Sequence, residues 1–319
     1  MLYNTLVSLF SDRLIYPLAL LFSFFASWGL IAIKFDFLPK DQGREFAVNG
    51  DLSKGKIRGV GLIMTFSLLL CSAIFVPFSA EFWLYALLIV LEMISGYMDD
   101  ASSKPWSDYK KGLIDFIVSA GVGAVFVKFN STSILLRNME INISPLLYWL
   151  IATIFVWISI NATNCSDGVD GLCATVSSIT LISFMLIYLN SYSREYKLYN
   201  LIMIGVILAY LIFNTSPSSM LMGDAGSRSI GVFIAIIAMK SRHPFGYLLA
   251  ALVLIVDGLA GLIKIFMKRF LKISILKNTR TPIHDHVRKN KNWSDTQVVI
   301  RFSIIQVVFS ILLLLIKYS

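Results

Sequence analysis

Charge is what this sequence has least of. Asp, Glu, Lys and Arg make up only 15% of the 319 residues, whereas 57% are hydrophobic. That balance excludes a water-soluble globular protein, in which about a quarter of residues are charged. Cysteine is scarce too. Cys71, Cys165 and Cys173 show no metal-ligand spacing, and an odd count gives no disulfide framework, so they read as packing residues. Histidine is limited to His243, His284 and His286. The chain also lacks internal repeats, low-complexity tracts and any polar stretch long enough for a separate soluble domain. A single transmembrane domain, residues 1–319, is the organisation left.

What the sequence has instead is apolar runs, and its mean hydropathy is +0.75. A membrane span takes about 20 predominantly apolar residues. Ten runs approach that: about 15–36, 59–78, 82–98, 113–129, 144–160, 172–190, 198–213, 227–240, 246–267 and 298–316. The expectation is an all-α, polytopic integral membrane protein with about ten transmembrane helices. The first run is longer than a signal-peptide core and lacks a small-residue cleavage site, so it reads as a retained span. Placing both termini outside puts residues 37–58, 99–112, 161–171, 214–226 and 268–297 on the cytoplasmic side, with 16 Lys and Arg. That is about twice the number on the other side, as the positive-inside rule requires. The net charge of +9 then belongs to a basic cytoplasmic face beside anionic headgroups, not to a nucleic-acid partner.

With that topology every unusual polar cluster falls on one face. Asp99 and Asp100 end the third run at a helix C-terminus, where the macrodipole disfavours negative charge. They are either a solvated helix end or a site for a divalent cation that neutralises them. Glu92, seven residues earlier, lies on nearly the same helix face. Between the fifth and sixth runs, Asn161, Asn164, Asp167 and Asp170 crowd a short connection with two glycines and no Lys or Arg. Amides and carboxylates in that density suit the ring edge and ribose of a nucleoside, and a polar turn with a helix cap would look similar.

Further along, Asn214 and Pro217 lead to Gly223-Asp224-Ala225-Gly226-Ser227 at the start of the eighth run. Asp224 or Ser227 can simply cap that helix. Alternatively, free N–H groups there bind phosphate, with Mg²⁺ allowing Asp224 to coexist with it. His284 and His286 stand in a basic loop beside Arg280, Arg288 and Lys289. That setting suits phosphate better than a metal, and is otherwise a solvated loop. Asp257, inside the ninth run, is either functional or packed against a polar neighbour. Lys54 and Lys56, before the second run, can contact phosphate or snorkel to the interface.

These residues carry a resemblance. The run from Asn161 to Leu172 reads N-A-T-N-C-S-D-G-V-D-G-L, residues 213–217 read F-N-T-S-P and residues 222–227 read M-G-D-A-G-S. Asp99-Asp100 is followed by Gly112-Leu113, and residues 281–286 and 293–302 read T-P-I-H-D-H and W-S-D-T-Q-V-V-I-R-F. From about Gly55 to Leu313 the chain resembles the polyprenyl-phosphate N-acetylhexosamine-1-phosphate transferases of the glycosyltransferase 4 family. Its carboxyl-terminal elements are similar to those of the phospho-N-acetylmuramoyl-pentapeptide branch. It departs from the family in Asp285, where histidine is usual, and in Ile57-Arg58-Gly59-Val60-Gly61, where P-T-M-G-G is usual. A lysine usual shortly after Gly112-Leu113 is absent, and Lys110 and Lys111 are the nearest substitutes.

The resemblance implies Mg²⁺-dependent attack of undecaprenyl phosphate on the β-phosphate of a UDP-sugar, with release of UMP, at the cytoplasmic face of a bacterial cell membrane. It places Asp99, Asp100 and Asp224 at the metal and pyrophosphate. Asn161, Asn164, Asp167, Asp170 and Asn214 fall at the donor nucleotide, and Lys56, Lys111, His284 and His286 at phosphate or sugar. The expected donor is UDP-N-acetylmuramoyl-pentapeptide, giving lipid I for peptidoglycan. A UDP-N-acetylhexosamine used for another surface polymer is the alternative. A homodimer is compatible with this reading. A transporter or flippase built around Asp257 is the remote alternative, against which stand the one-sided polar clusters and the lack of an inverted repeat.

Overall fold

The computed structural model describes residues 12–43, 53–136 and 139–318, together with residues 3, 5 and 6. Each of the ten apolar runs is helical. In chain order the helices are α1 (Asp12–Ala32), α2 (Gly61–Phe75), α3 (Ala80–Asp100), α4 (Asp108–Phe129), α5 (Pro145–Cys165), α6 (Leu172–Ile187), α7 (Arg194–Asn214), α8 (Gly223–Lys240), α9 (Tyr247–Ala250), α10 (Leu252–Phe270), α11 (Ile283–Lys291) and α12 (Asp295–Tyr318). One antiparallel hairpin, β1 (Ser133–Leu136) with β2 (Met139–Asn142), interrupts the all-α pattern between α4 and α5, with Ser133 opposite Asn142.

Among the described residues, six helices are long and apolar enough to cross a membrane, and seven if the bent pair Pro244–Ala250 and Leu252–Phe270 counts as one span. Length and apolarity therefore support six or seven of the expected ten spans. Helices α2 and α6 are apolar but have only 15 and 16 residues. The ninth run is not one straight helix, because its two pieces meet at 87°, beside Ala251 at φ −123°. Helix α8 carries Asp224, Arg228 and Lys240 within 18 residues.

Helix α8 tolerates those charges because it sits at the centre. Every residue from Gly223 to Met239 is buried, with α3 and α5 its main neighbours. A helix surrounded by protein has no lipid to repel its polar groups, so Asp224, Ser227, Arg228 and Ser229 find partners within the bundle. The peripheral helices show the reverse pattern. Along α12, Ile300, Ile304 and Leu315 are each more than half exposed, as expected of side chains facing hydrocarbon.

Candidate active site

The C-terminal ends of α3, α5 and α7 and the N-terminal ends of α4 and α8 come together at one end of the bundle. With the loops between them they enclose a cleft of about 800 Å³. Three loop segments fix its floor through a minimal ladder, in which Ile57 bridges both Lys40 and Met220. The Asp41 N–H donates to the Lys56 carbonyl, the Arg58 N–H to the Pro39 carbonyl and the Leu221 N–H to the Ile57 carbonyl, each at 2.8 Å.

That ladder aims Arg58 into a group of acids. Its Nε donates to Asp100 Oδ1 at 2.7 Å, its Nη1 to Asp41 Oδ2 at 2.7 Å and its Nη2 to Asp224 Oδ1 at 3.4 Å. Burial by itself favours a neutral side chain, but the Asp100 and Asp224 carboxylates outweigh it and raise the Arg58 pKa above the ordinary arginine value. Burial likewise pushes the Asp41 carboxyl up. Hydrogen bonds from Arg58, Ser53 and the Gly43 N–H overcome that and hold its pKa below the usual aspartate value.

Asp100 explains how a carboxylate survives at the end of α3. Its Oδ1 accepts from the Asp224 N–H and its Oδ2 from the Ala225 N–H, both at 3.1 Å. It therefore caps the first turn of α8, whose positive dipole end offsets the unfavourable end of α3. Gly223 makes this approach possible: its φ is +69°, and a Cβ there would lie 2.2 Å from Asp100 Oδ2. This corrects the expectation that the N–H groups opening α8 are free for phosphate, since Asp100 holds two of them.

Asp99 and Asp224 face each other across Lys111. The Lys111 ammonium pairs with Asp99 Oδ2, and with Asp224 Oδ2 at 3.2 Å. The Trp106 N–H donates to Asp99 Oδ1 at 2.7 Å. Lys111 thus provides a cation where the usual lysine after Gly112-Leu113 is missing. The donor set suits Mg²⁺, which prefers oxygen ligands and is held by one or two carboxylates completed by water and phosphate. Asp99 and Asp224 would supply those carboxylates. Among the described residues no three His, Cys, Asp or Glu side chains converge on a single point. Asp41, Asp99, Asp100 and Asp224 exceed Arg58 and Lys111 by two negative charges, the charge of one divalent ion.

Asn164, Asp167 and Asp170 line the same cleft. Asn164 Oδ1 accepts from Ser227 Oγ at 3.0 Å. Asp170 Oδ2 accepts from the Ser218 N–H at 2.9 Å and from Lys56 Nζ at 3.3 Å, so Lys56 turns into the cleft instead of toward lipid. Asn214 also borders the space, but its side chain bonds to the Gly171 N–H and the Met220 carbonyl, both at 2.9 Å. It ties the two polar loops together. Asn161 and Asn164 belong to the last turns of α5, not to a loop. Asn161 turns away from the cleft, toward Asp115 and the Trp157 carbonyl. His284 lines the cleft, whereas His286 accepts from the Arg280 N–H at 3.2 Å outside it.

Beneath the cleft lies a group of which sequence reasoning named only Glu92. Arg228 of α8 pairs with Glu92 of α3 at 2.8 Å and with Asp115 of α4. All three are sealed from solvent. Arg58 and Asp41 were missed as well. The available signal for Arg58 was its departure from P-T-M-G-G, and for Arg228 a cation inside an apolar run.

The glycosyl transferase family 4 profile matches residues 82–242, the stretch holding α3 to α8. The chain is 33% identical to the phospho-N-acetylmuramoyl-pentapeptide-transferase of Treponema pallidum (strain Nichols), over 93% of this chain and 88% of that protein. It is 29% identical to the transferase of the same name from Wolbachia pipientis wMel, over 79% and 81% of the two chains. With that of Carboxydothermus hydrogenoformans it shares 25% identity over 91% and 95%. The polar runs that build the cleft, from Asp99-Asp100 to Gly223-Asp224, lie inside the matched stretch, and the chain belongs to glycosyl transferase family 4.

Proposed function

We propose that this chain transfers phospho-N-acetylmuramoyl-pentapeptide from its UDP donor to undecaprenyl phosphate, giving lipid I and UMP, at the cytoplasmic face of a bacterial membrane that it crosses about ten times. The observation that carries the proposal is the cleft itself, where Asp99, Asp100 and Asp224 from two helices meet the guanidinium of Arg58 and the ammonium of Lys111. The lysine and arginine excess of the cleft-side loops supports the orientation.

In this reaction an oxygen of the lipid phosphate attacks the β-phosphorus of the donor. The bond from that phosphorus to the bridging oxygen breaks, and UMP leaves. Negative charge spreads over the oxygens around the transferred phosphorus, so catalysis consists of positioning and charge stabilisation. Arg58 and Lys111, already held by carboxylates, are placed to donate to those oxygens. Asp100 fixes the first turn of α8 and hence the direction of Asp224. Mg²⁺ at Asp99 and Asp224 would neutralise part of the pyrophosphate charge. Asn164, Asp167 and the Asp170–Lys56 pair form the wall against which the nucleotide is placed. The transporter reading loses its main residue, because Asp257 is engaged by His284.

Release of UMP by the purified protein tests this, with undecaprenyl phosphate and Mg²⁺ present and UDP-N-acetylmuramoyl-pentapeptide compared against UDP-N-acetylglucosamine. Turnover of the pentapeptide donor alone supports the proposal. Turnover of the simpler donor alone would move the chain to another polymer pathway and overturn the assignment.

A further inference from the structure

Asp257 lies within α10 and is only 1% exposed, yet its carboxylate is directed wholly at one residue of the cleft wall. Its Oδ1 accepts the backbone N–H of His284 at 2.8 Å, and its Oδ2 lies 2.8 Å from His284 Nδ1. His284, near the start of α11, is itself 2% exposed. Its other ring nitrogen, Nε2, is turned toward the loop that follows α5. A Cβ on Gly168 would lie 2.3 Å from it, so the loop passes the ring only because that position is glycine. Asp285 Oδ1 stands 3.9 Å from Nε2 and is drawn by Arg288, 3.5 Å away.

With Asp257 ionised and the His284 ring neutral, the pairing leaves one arrangement of protons. A backbone N–H can only donate and an ionised carboxylate can only accept. The bond to Oδ1 fixes the carboxylate, and Oδ2 then requires the proton of a neutral imidazole to sit on Nδ1. Nε2 is left as an acceptor facing Gly168, and both residues line the cleft. We infer that Asp257 is a positioning residue that fixes the tautomer of His284, so that Nε2 accepts a hydrogen bond from a hydroxyl or amide N–H of the sugar donor. The inference rests on the sugar-phosphate transfer reading for the identity of that ligand. The tautomer itself follows from the two hydrogen bonds of that carboxylate–imidazole pair.

Asp257→Asn changes one atom and reverses the logic. The His284 N–H still needs an acceptor, so the amide oxygen stays with it and the amide NH₂ faces Nδ1. The ring must then carry its proton on Nε2 and becomes a donor toward the cleft. Ring-¹⁵N spectra of the full chain in detergent read this directly. There are only three histidines, and His243→Gln and His286→Gln assign the other two. The expected result is Nδ1–H for His284 in the wild type and Nε2–H in Asp257→Asn. The donor KM should rise ~10- to 100-fold in that variant, while the KM for the lipid phosphate stays put. Asp257→Glu, which keeps two acceptors, should restore the Nδ1–H signature and part of the donor KM. An Nε2–H signal in the wild type, or an unchanged tautomer in Asp257→Asn, would overturn the inference. So would a flipped tautomer with an unchanged donor KM, because Nε2 would then not meet the donor. Since the spectra need no substrate, and UMP release is scored separately, failure here is distinct from failure of the proposed reaction.

Discussion

Helices α3, α4 and α8 each contribute to two ionic clusters, one above the other, and the two behave differently. At the cleft they supply Asp99 and Asp100, Lys111, and Asp224. Deeper in the same helices they supply Glu92, Asp115 and Arg228. The steps from Lys111 to Asp115 and from Asp224 to Arg228 are four residues, about 6 Å along a helix. Within that distance the setting changes from an open cleft to a sealed interior, where Glu92 and Arg228 have no exposed surface and Asp115 has 3%. An ion group with access can exchange its partners for substrate. A sealed one can only hold helices together, and it costs stability when a partner is lost. Position decides which of the two is a site.

Substitutions can break this contrast, and the largest effect is expected at the cleft. Asp224→Asn should lower UMP release by about 100-fold or more, with thermal unfolding near the wild type, because it removes one acid from a crowded group. A loss of only a few fold would move the chemistry to other residues. The sealed cluster should respond in the opposite sense. Arg228→Met leaves two buried carboxylates without their cation and should cost about 3–5 kcal/mol of stability, read by thermal unfolding in detergent. Adding Glu92→Gln and Asp115→Asn to it should recover most of that loss. If the triple variant stays as unstable as the single one, the cluster does not act through charge.

A smaller effect sharpens the comparison at its edge. Arg58→Lys keeps the charge but not the fork that joins Asp41, Asp100 and Asp224. A loss of about tenfold in kcat/KM, or about 1.4 kcal/mol, is expected in steady-state assays. The smallest effect concerns Asp41, whose pKa is held below its ordinary value of 3.8. A depressed carboxylate adds stability that is fully present above the unfolded pKa and is lost as pH falls through the folded one. The gap in thermal stability between wild type and Asp41→Asn should therefore be widest above pH 3.8 and close below it. A gap that widens on acidification would contradict the Asp41–Arg58 assignment.

The helices were legible because hydrocarbon imposes a simple demand for long apolar runs, and all ten runs are helical. The bend beside Ala251 was not, since two apolar pieces meeting at 87° read in sequence like one continuous run. Short connections hid the hairpin between Ser133 and Asn142. For the site, Asp99, Asp100, Asn164, Asp167, Asp170 and Asp224 all line one cleft, because polar residues at apolar-run ends are conspicuous. What polar composition could not show was direction. Asn161 looks the same as Asn164 in sequence, but three residues of helix turn it about 300° and send it to Asp115. Arg58 was hidden differently, because its partners lie 17, 42 and 166 residues away, and only the short ladder around Ile57 brings them within reach.

The burial of α8 from Gly223 to Met239 also bears on how the protein is made. A helix carrying Asp224, Arg228 and Lys240 gains little from entering a bilayer by itself, since a single Arg or Asp near mid-helix costs about 2.5–3.5 kcal/mol on the insertion scale. Its polar groups are matched by α3, α4 and α5 and by Arg58, all of which leave the ribosome earlier. The neighbours are thus the solvent in which α8 is inserted, and the order of synthesis supplies that solvent before it is needed.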